Sequence, residues 1–220
     1  MTDLIDDKSD RTAIARPAAV QSWMKRTFDI LGAAGGLILL APLLVFVALL
    51  IRLDSRGPIL FPQDRHGLGG RIFRIYKFRT MTATASRETF RQATVGDARI
   101  TRLGSILRRT SIDELPQLFN VLKGDMSLIG PRPHPLALDE QYRKTIPGYM
   151  IRYAVRPGMS GLAQVTGHRG PTPTHESMAA RVSRDLRYIE DWTFGLDLRI
   201  LLATILPWWP SLKPEVRDGG

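Results

Sequence analysis

One long hydrophobic run dominates the pattern of polar and apolar positions along the chain. Residues 30–51 read ILGAAGGLILLAPLLVFVALLI and contain no charged side chain. As an α-helix this run would be about 33 Å long, which is enough to cross the ~30 Å hydrocarbon layer of a bilayer. The simplest interpretation is a single membrane-spanning helix or a signal anchor.

Two features of this run favour a helix that enters the membrane and returns to the same face. Basic residues flank both of its ends, and they are Lys25, Arg26, Arg52 and Arg56. Positive charge favours the cytoplasmic side at each end. Pro42 removes a backbone donor and clashes with the carbonyl group of the preceding turn. A re-entrant membrane helix over 23–54 that is broken at Pro42 would explain both features. A proline-kinked spanning helix remains the alternative, because such helices are common.

The rest of the pattern predicts a helix-dominated α+β fold. Short β-like runs over 59–63 and 72–78, joined by a glycine-rich turn, predict a hairpin. Apolar periodicity predicts helices over 97–109, 111–124, 183–192 and 197–206. Segments rich in proline and glycine predict loops over 130–135, 156–161 and 167–173. The expected domains are a mobile tail over 1–22, the membrane helix, one folded domain over 55–210 and a tail over 211–220.

Composition and charge narrow the classes of partner. The 220 residues include no cysteine, which excludes a disulfide framework, a thiolate metal site and a cysteine nucleophile. The net charge of +10 indicates an anionic partner: nucleic acid, lipid headgroups or a phosphorylated substrate. A basic stretch over 52–80 lies next to the membrane segment, which favours headgroups or phosphate. We expect no nucleic acid partner, because the basic stretches lack a compact nucleic-acid-binding signature.

An acidic pair within this basic chain is the strongest candidate for chemistry. Asp113 and Glu114 follow the basic pair Arg108-Arg109 and open a predicted helix. One interpretation is a capping box, in which Glu114 reaches back to the backbone of Ser111. The other is a phosphate site at a helix N-terminus, where one carboxylate attacks phosphorus and the other holds a divalent cation. In that case we expect the positive surroundings to lower the pKa of the nucleophile.

Weaker candidates lie in the proline-rich segments. Arg132 stands between two prolines, and Arg156 precedes Pro157-Gly158, so each arginine is presented on a rigid loop or simply on a stiff turn. The four histidines show no metal-ligand spacing, and they are interpreted as solvated loop residues. They are His66, His134, His168 and His175.

Several segments, taken in order, resemble one family over four-fifths of the chain. They are Lys25-Arg26-x-Phe28-Asp29, Phe61-x-Gln63-x-Arg65-x-Gly67-x-x-Gly70, Lys77-Phe78-Arg79-Thr80-Met81, the run LRRTSIDELPQLFNVLKGDMSLIGPRP over 107–133, Arg156-Pro157-Gly158, Gly161-Leu162-Ala163-Gln164-Val165 and Asp197-Leu198-Arg199. Each segment alone is weak. Together they resemble the bacterial sugar transferases of the monotopic phosphoglycosyl transferase type.

The resemblance implies an enzyme on the cytoplasmic face of the bacterial inner membrane. Such enzymes transfer a phosphosugar from a UDP-sugar to undecaprenyl phosphate, which is the first membrane step of exopolysaccharide or glycoconjugate synthesis. It implies that Asp113 attacks the β-phosphorus, releases UMP and forms an aspartyl-phosphosugar intermediate, which the lipid phosphate then intercepts. It further implies that Glu114, with Asp113, binds Mg²⁺. It also implies that the hydrophobic segment is a re-entrant helix broken at Pro42.

The resemblance also assigns substrate or phosphate binding to six further residues, which are Lys77, Arg79, Arg108, Arg132, Arg156 and Asp197. Many relatives have serine before the breaking proline, where this chain has Ala41. Longer relatives carry N-terminal spanning helices, so a minimal catalytic form is expected here, and a homodimer is left open. The rival hypothesis is a non-catalytic, basic membrane-anchored adaptor that binds anionic lipid. It leaves the acidic pair unexplained.

Overall fold

The computed structural model describes residues 22–82 and 97–206. Nearly all of the predicted tail over 1–22, residues 83–96 and the predicted tail over 211–220 lie outside these ranges. The helices are α1 Trp23–Asp54, α2 Arg102–Thr110, α3 Gln117–Lys123, α4 Leu136–Tyr142, α5 Leu162–Val165, α6 His175–Glu190 and α7 Phe194–Ile205. The strands are β1 Leu60–His66, β2 Ile72–Phe78, β3 Ser127–Ile129 and β4 Gly158–Ser160. Short 3₁₀ turns occupy Leu68–Gly70, Ile112–Glu114 and Tyr149–Ala154.

Helix α1 is long and apolar enough to cross a membrane. It has 32 residues, and only 11% of its most apolar window is buried against the rest of the protein. The side chain of Ser22 caps its start, and Pro42 lies in its interior. The secondary structure therefore continues across the predicted break. A proline removes one backbone hydrogen bond and bends a helix, while the turns on either side keep their own bonds.

Both ends of α1 pack against the same folded domain. Near its start, Asp29 accepts hydrogen bonds from the hydroxyl of Ser127 and the backbone N–H of Leu128, both at 2.9 Å. Near its end, Val47 and Ile51 are buried in a small apolar cluster with residues of β2 and α2. The opposite face of the helix is exposed and apolar along its length.

The predicted hairpin is confirmed. Strands β1 and β2 pair antiparallel, with Gln63 opposite Ile75 and Phe61 opposite Lys77. The observed β1 starts one residue later than predicted and extends to His66, while β2 has the predicted bounds. The hairpin places Lys77 close to the end of β2.

A second, parallel pair was missed, because 156–161 was predicted to be a loop. Strand β4 pairs with β3 over three residues each, which is too short to give a detectable alternation. The close approach of the two strands requires glycine. A Cβ at Gly158 would lie 2.1 Å from the backbone nitrogen of Gly130.

The predicted helices are present, but their observed ends differ from the predicted ones where capping residues determine them. Helix α2 begins at Arg102 because the side chain of Thr101 caps it. The predicted helix over 111–124 is divided, and α3 begins only after Pro116, a residue suited to a helix start and not to its interior. Helix α6 begins at His175, eight residues earlier than predicted, behind a capping box formed by Thr174. The main apolar core joins α1, α3, both parallel strands, α6 and α7.

Candidate active site

The acidic pair lies in the 3₁₀ turn that follows α2. Ser111 ends α2 with a left-handed backbone (φ 59°), and its side chain caps no backbone group. The capping-box interpretation is therefore wrong. In the left-handed conformation the chain changes direction at Ser111, and the side chain of Glu114 reaches neighbouring cations instead of the backbone.

Glu114 is held by two cations from different elements. Lys77 of β2 donates a hydrogen bond to Oε1 at 2.7 Å. Arg132 binds the same carboxylate with both terminal nitrogens, one of them donating to Oε2 at 3.0 Å. Burial alone would raise the pKa of Glu114, but the charges of Arg132 and Lys77 outweigh burial and hold it well below its usual range. Glu114 is ionised and fixes both cations in place.

Asp113 lies in the opposite environment. Asp113 is buried, with only 7% of its surface exposed. Its carboxylate accepts no hydrogen bond from the residues that the structure describes. Burial, reinforced by the charge of Glu114, raises its pKa to about 6, although Lys77 and Arg108 act in the other direction. The expectation that positive surroundings lower this pKa is wrong, because desolvation of the carboxylate outweighs the nearby cations.

Arg108 reaches the site from α2. Its Nε donates to the hydroxyl of Thr80 at 2.8 Å. One turn earlier in the helix, a Cβ at Gly104 would lie 2.1 Å from the carbonyl oxygen of Thr80. Glycine is therefore needed for α2 to approach the segment that follows β2, and this approach positions Arg108 beside Asp113.

The backbone that carries Arg132 is clamped by buried side chains that the sequence analysis did not place at the site. Arg65 donates to the carbonyl oxygen of Pro133 at 2.8 Å. Arg152 donates to the carbonyl oxygen of Arg132 and, through Nε, to Asp185 at 2.9 Å. Two prolines beside Arg132 stiffen the loop, but the clamp comes from residues distant in sequence, so no local motif reveals it.

Three predicted site residues make their contacts elsewhere. Arg79 donates to the carbonyl oxygen of Ser55 at 2.6 Å and so provides a hydrogen-bond donor at the C-terminal end of α1. Asp197 pairs with Lys25 at 2.6 Å and joins α7 to α1. Arg156 donates to the carbonyl oxygen of Gly124 at 3.0 Å. The site thus brings together Asp113, Glu114, Lys77, Arg108 and Arg132, whereas Arg79, Asp197 and Arg156 tie secondary structure elements together.

The carboxylates suit a divalent cation that arrives with phosphate. In the described ranges, no group of three or more metal-ligating side chains occurs. Mg²⁺ is commonly held by one or two carboxylates together with substrate phosphates. The oxygens of Glu114 already accept three hydrogen bonds, while both oxygens of Asp113 are available. The pair therefore fits Mg²⁺ only as part of a substrate complex.

Comparisons with known proteins agree on one family. The family model described as bacterial sugar transferase matches residues 20–209. The chain is 51% identical over 196 residues to a UDP-glucose:undecaprenyl-phosphate glucose-1-phosphate transferase of Caulobacter vibrioides, covering 89% of this chain and 72% of that protein.

Two further relatives differ in how much of their length is matched. The protein of the same description from Escherichia coli K12 is 46% identical over 188 residues, which cover 86% of this chain but only 40% of the relative. The exopolysaccharide production protein PSS of Rhizobium leguminosarum bv. phaseoli is 46% identical over 187 residues, which cover 83% of this chain and 94% of the relative.

Proposed function

This chain belongs to the bacterial sugar transferase family, and from that premise we propose that it transfers a sugar 1-phosphate from a UDP-sugar to undecaprenyl phosphate. UDP-glucose is the proposed donor, because it is the donor named for the relatives from Caulobacter vibrioides and Escherichia coli. The proposed products are a polyprenyl diphosphosugar and UMP, and the proposed pathway is exopolysaccharide synthesis.

The proposed reaction has two steps at one phosphorus atom. In the first, an oxygen of the Asp113 carboxylate attacks the β-phosphorus of the donor, the bond to the bridging oxygen breaks, and UMP leaves with the electron pair. In the second, an oxygen of the lipid phosphate attacks the same phosphorus and frees the carboxylate. The observation that carries this proposal is the buried carboxylate of Asp113. It accepts no hydrogen bond from the described residues and lies beside the cations Lys77, Arg108 and Arg132.

The surrounding side chains position and stabilise charge. Lys77 and Arg132 are fixed by Glu114, and Arg108 is fixed by Thr80. Preorganised cations of this kind stabilise the charge that builds up on transferring phosphoryl oxygens. Mg²⁺, when bound with the diphosphate by Asp113 and Glu114, neutralises part of the phosphate charge. The pKa of Asp113 near 6 leaves this group mostly ionised at neutral pH.

The proposed location is the cytoplasmic face of the bacterial inner membrane, with α1 re-entrant. Support comes from the contacts at the two ends of the helix. Lys25 near its start donates to the carbonyl oxygen of Ile129 at 3.0 Å, and Ser55 just after its end accepts from Arg79. A helix that crossed a ~30 Å hydrocarbon layer could not keep both ends on a polar domain lying at one face. A bend within α1 would let both ends remain at that face.

The proposed function is tested by measuring UMP release in detergent with Mg²⁺, undecaprenyl phosphate and a panel of UDP-sugars. Wild-type protein is expected to release UMP with UDP-glucose, and Asp113→Asn is expected to release none. Asp64→Asn is the matched control, because Asp64 is an exposed residue of the hairpin that pairs with Arg74 at 3.4 Å. No release with any donor from folded wild-type protein would favour the adaptor hypothesis.

A further inference from the structure

A fourth basic side chain reaches the segment of the acidic pair from a loop that the proposed mechanism does not use. Arg169 lies in the loop between α5 and α6, and its guanidinium donates to the hydroxyl of Ser111. Ser111 lies two residues before Asp113. Arg169 is exposed and therefore accessible to a ligand that enters the site.

The loop is built to hold Arg169 in this place. Arg181 of α6 is 5% exposed, and its guanidinium donates to the carbonyl oxygens of His168, at 3.0 Å, and Gly170. These two residues flank Arg169 on either side. A buried arginine thus fixes the backbone on both sides of an exposed one, which aims the exposed guanidinium at Ser111.

The charge of Arg169 is not used in the same way as that of the other cations. Lys77 and Arg132 share the carboxylate of Glu114, whereas the described partner of Arg169 is a neutral hydroxyl. A guanidinium gains more from a phosphate oxygen than from a hydroxyl, because charge-assisted hydrogen bonds are roughly twice as strong as neutral ones. A phosphate that enters beside Asp113 can therefore replace Ser111 as the partner of Arg169.

We propose that Arg169 binds a phosphate group of the substrate during turnover. The donor diphosphate is the favoured source, because it must lie against Asp113, and the lipid phosphate is the other source of the same chemistry. This inference rests on the proposed function. It adds to that function Arg169, a residue to which the resemblance assigns no role.

The test separates donor binding from turnover. The affinity for UDP is measured by calorimetry without lipid, and the KM values for UDP-glucose and for undecaprenyl phosphate are measured separately. Arg169→Ala is expected to weaken UDP binding and to raise the donor KM roughly 10- to 100-fold, the loss of one hydrogen bond between charged groups. Arg169→Lys should recover part of the loss, since the amine keeps the charge. Arg143→Ala, which removes a surface ion pair with Glu140, should leave all three values unchanged.

A second variant separates ligand binding from a purely structural role. Ser111→Gly removes the hydroxyl partner while tolerating the left-handed backbone of that position. If Arg169 only holds Ser111, both variants should impair the enzyme equally. If Arg169 binds phosphate, Ser111→Gly should leave the donor KM near that of the wild type.

The outcomes distinguish the two proposals. A rise confined to the lipid KM would identify the lipid phosphate as the ligand of Arg169. Wild-type values in Arg169→Ala for UDP affinity and for both KM values would overturn the inference while leaving the proposed function intact. A wild-type protein that neither binds UDP nor releases UMP would instead overturn the proposed function.

Discussion

Asp113 and Glu114 are neighbours in the chain, yet their carboxyl groups have opposite electrostatic properties. Glu114 is neutralised by Lys77 and Arg132, and its pKa is well below its usual range. Asp113 is desolvated, and its pKa is raised to about 6. Pairs of acids whose pKa values are separated by their surroundings commonly divide the chemical roles of an active site. Here the division supports the proposal that Asp113 is the reactive group, while Glu114 orders the cations.

Replacing Glu114 tests this division of roles. Glu114→Gln removes the charge that holds Lys77 and Arg132, so we expect a loss of UMP release by at least about 100-fold and a higher Mg²⁺ requirement in whatever activity remains. The measurement is a Mg²⁺ titration of initial rates beside Asp64→Asn. An unchanged titration curve would contradict the role of Glu114 as a metal ligand.

The interpretation of His134 as a solvated residue is wrong, because it is buried, and this burial predicts a pH dependence of stability. Burial, reinforced by Arg152 and Arg181, holds the pKa of His134 well below its usual value of 6.5. The unfolded chain therefore binds a proton near pH 6.5 that the folded protein does not, and the free energy of unfolding falls as the pH drops below 6.5. The slope from this one group approaches about 1.4 kcal/mol per pH unit.

The comparison that isolates this effect is a series of melting curves from pH 7.5 to 5.5 for the wild type and for His134→Gln. The variant is expected to be less stable at neutral pH but to lose less stability on acidification. Parallel curves for the two proteins would rule out His134 as the source.

At the residue scale, motif order was sufficient to single out Asp113, Glu114, Lys77, Arg108 and Arg132, which the fold brings together. It could not separate Arg79, Arg156 or Asp197 from them. A resemblance shows only that the same residue type occupies the same position of a motif. An ion pair inside the fold and a phosphate contact can each require that residue type, so the resemblance does not distinguish them. The pKa of Asp113 was also mispredicted, because burial depends on packing that no local pattern contains.

At the scale of elements, the approach of α2 to Thr80 determines where Arg108 lies. We expect Gly104→Ala to force α2 away from the carbonyl oxygen of Thr80, which its Cβ would meet at 2.1 Å. The free energy of unfolding should fall by about 1–3 kcal/mol, and UMP release should fall as Arg108 moves from Asp113. Melting curves and initial rates provide the two measurements.

The matched control is a second helical glycine changed in the same way. Gly35 in α1 has nothing within 4 Å of the position that a Cβ would occupy, so Gly35→Ala should leave rate and stability close to those of the wild type. Equal effects of the two substitutions would contradict the steric account.

The elements themselves were predictable where a long pattern specifies them. The apolar run of α1 and the alternating strands of the hairpin were found with small boundary errors. The three-residue parallel strands and the split at Pro116 were not, because short elements depend on contacts between distant segments. Pro42 alone does not determine whether α1 turns back towards the same face, because the helix continues across this proline.

For the whole molecule, the main expectation is that both ends of α1 lie on the cytoplasmic side. Cysteines introduced singly as Asp10→Cys and Leu60→Cys should resist a membrane-impermeant maleimide added to the periplasmic side of intact cells. Both should react after the cells are lysed. The sequence contains no cysteine, so label on the protein purified after the reaction reports the introduced position alone. Periplasmic labelling of one position only would indicate a spanning helix.

The central claim is that Asp113 carries the phosphosugar. The most direct measurement is the intact mass of the purified protein after incubation with UDP-glucose and Mg²⁺ without lipid acceptor. We predict a species heavier by one hexose phosphate less one water, absent from Asp113→Asn and lost from the wild type when undecaprenyl phosphate is added. Full turnover by the wild type with no such species, or the same adduct on Asp113→Asn, would contradict the account.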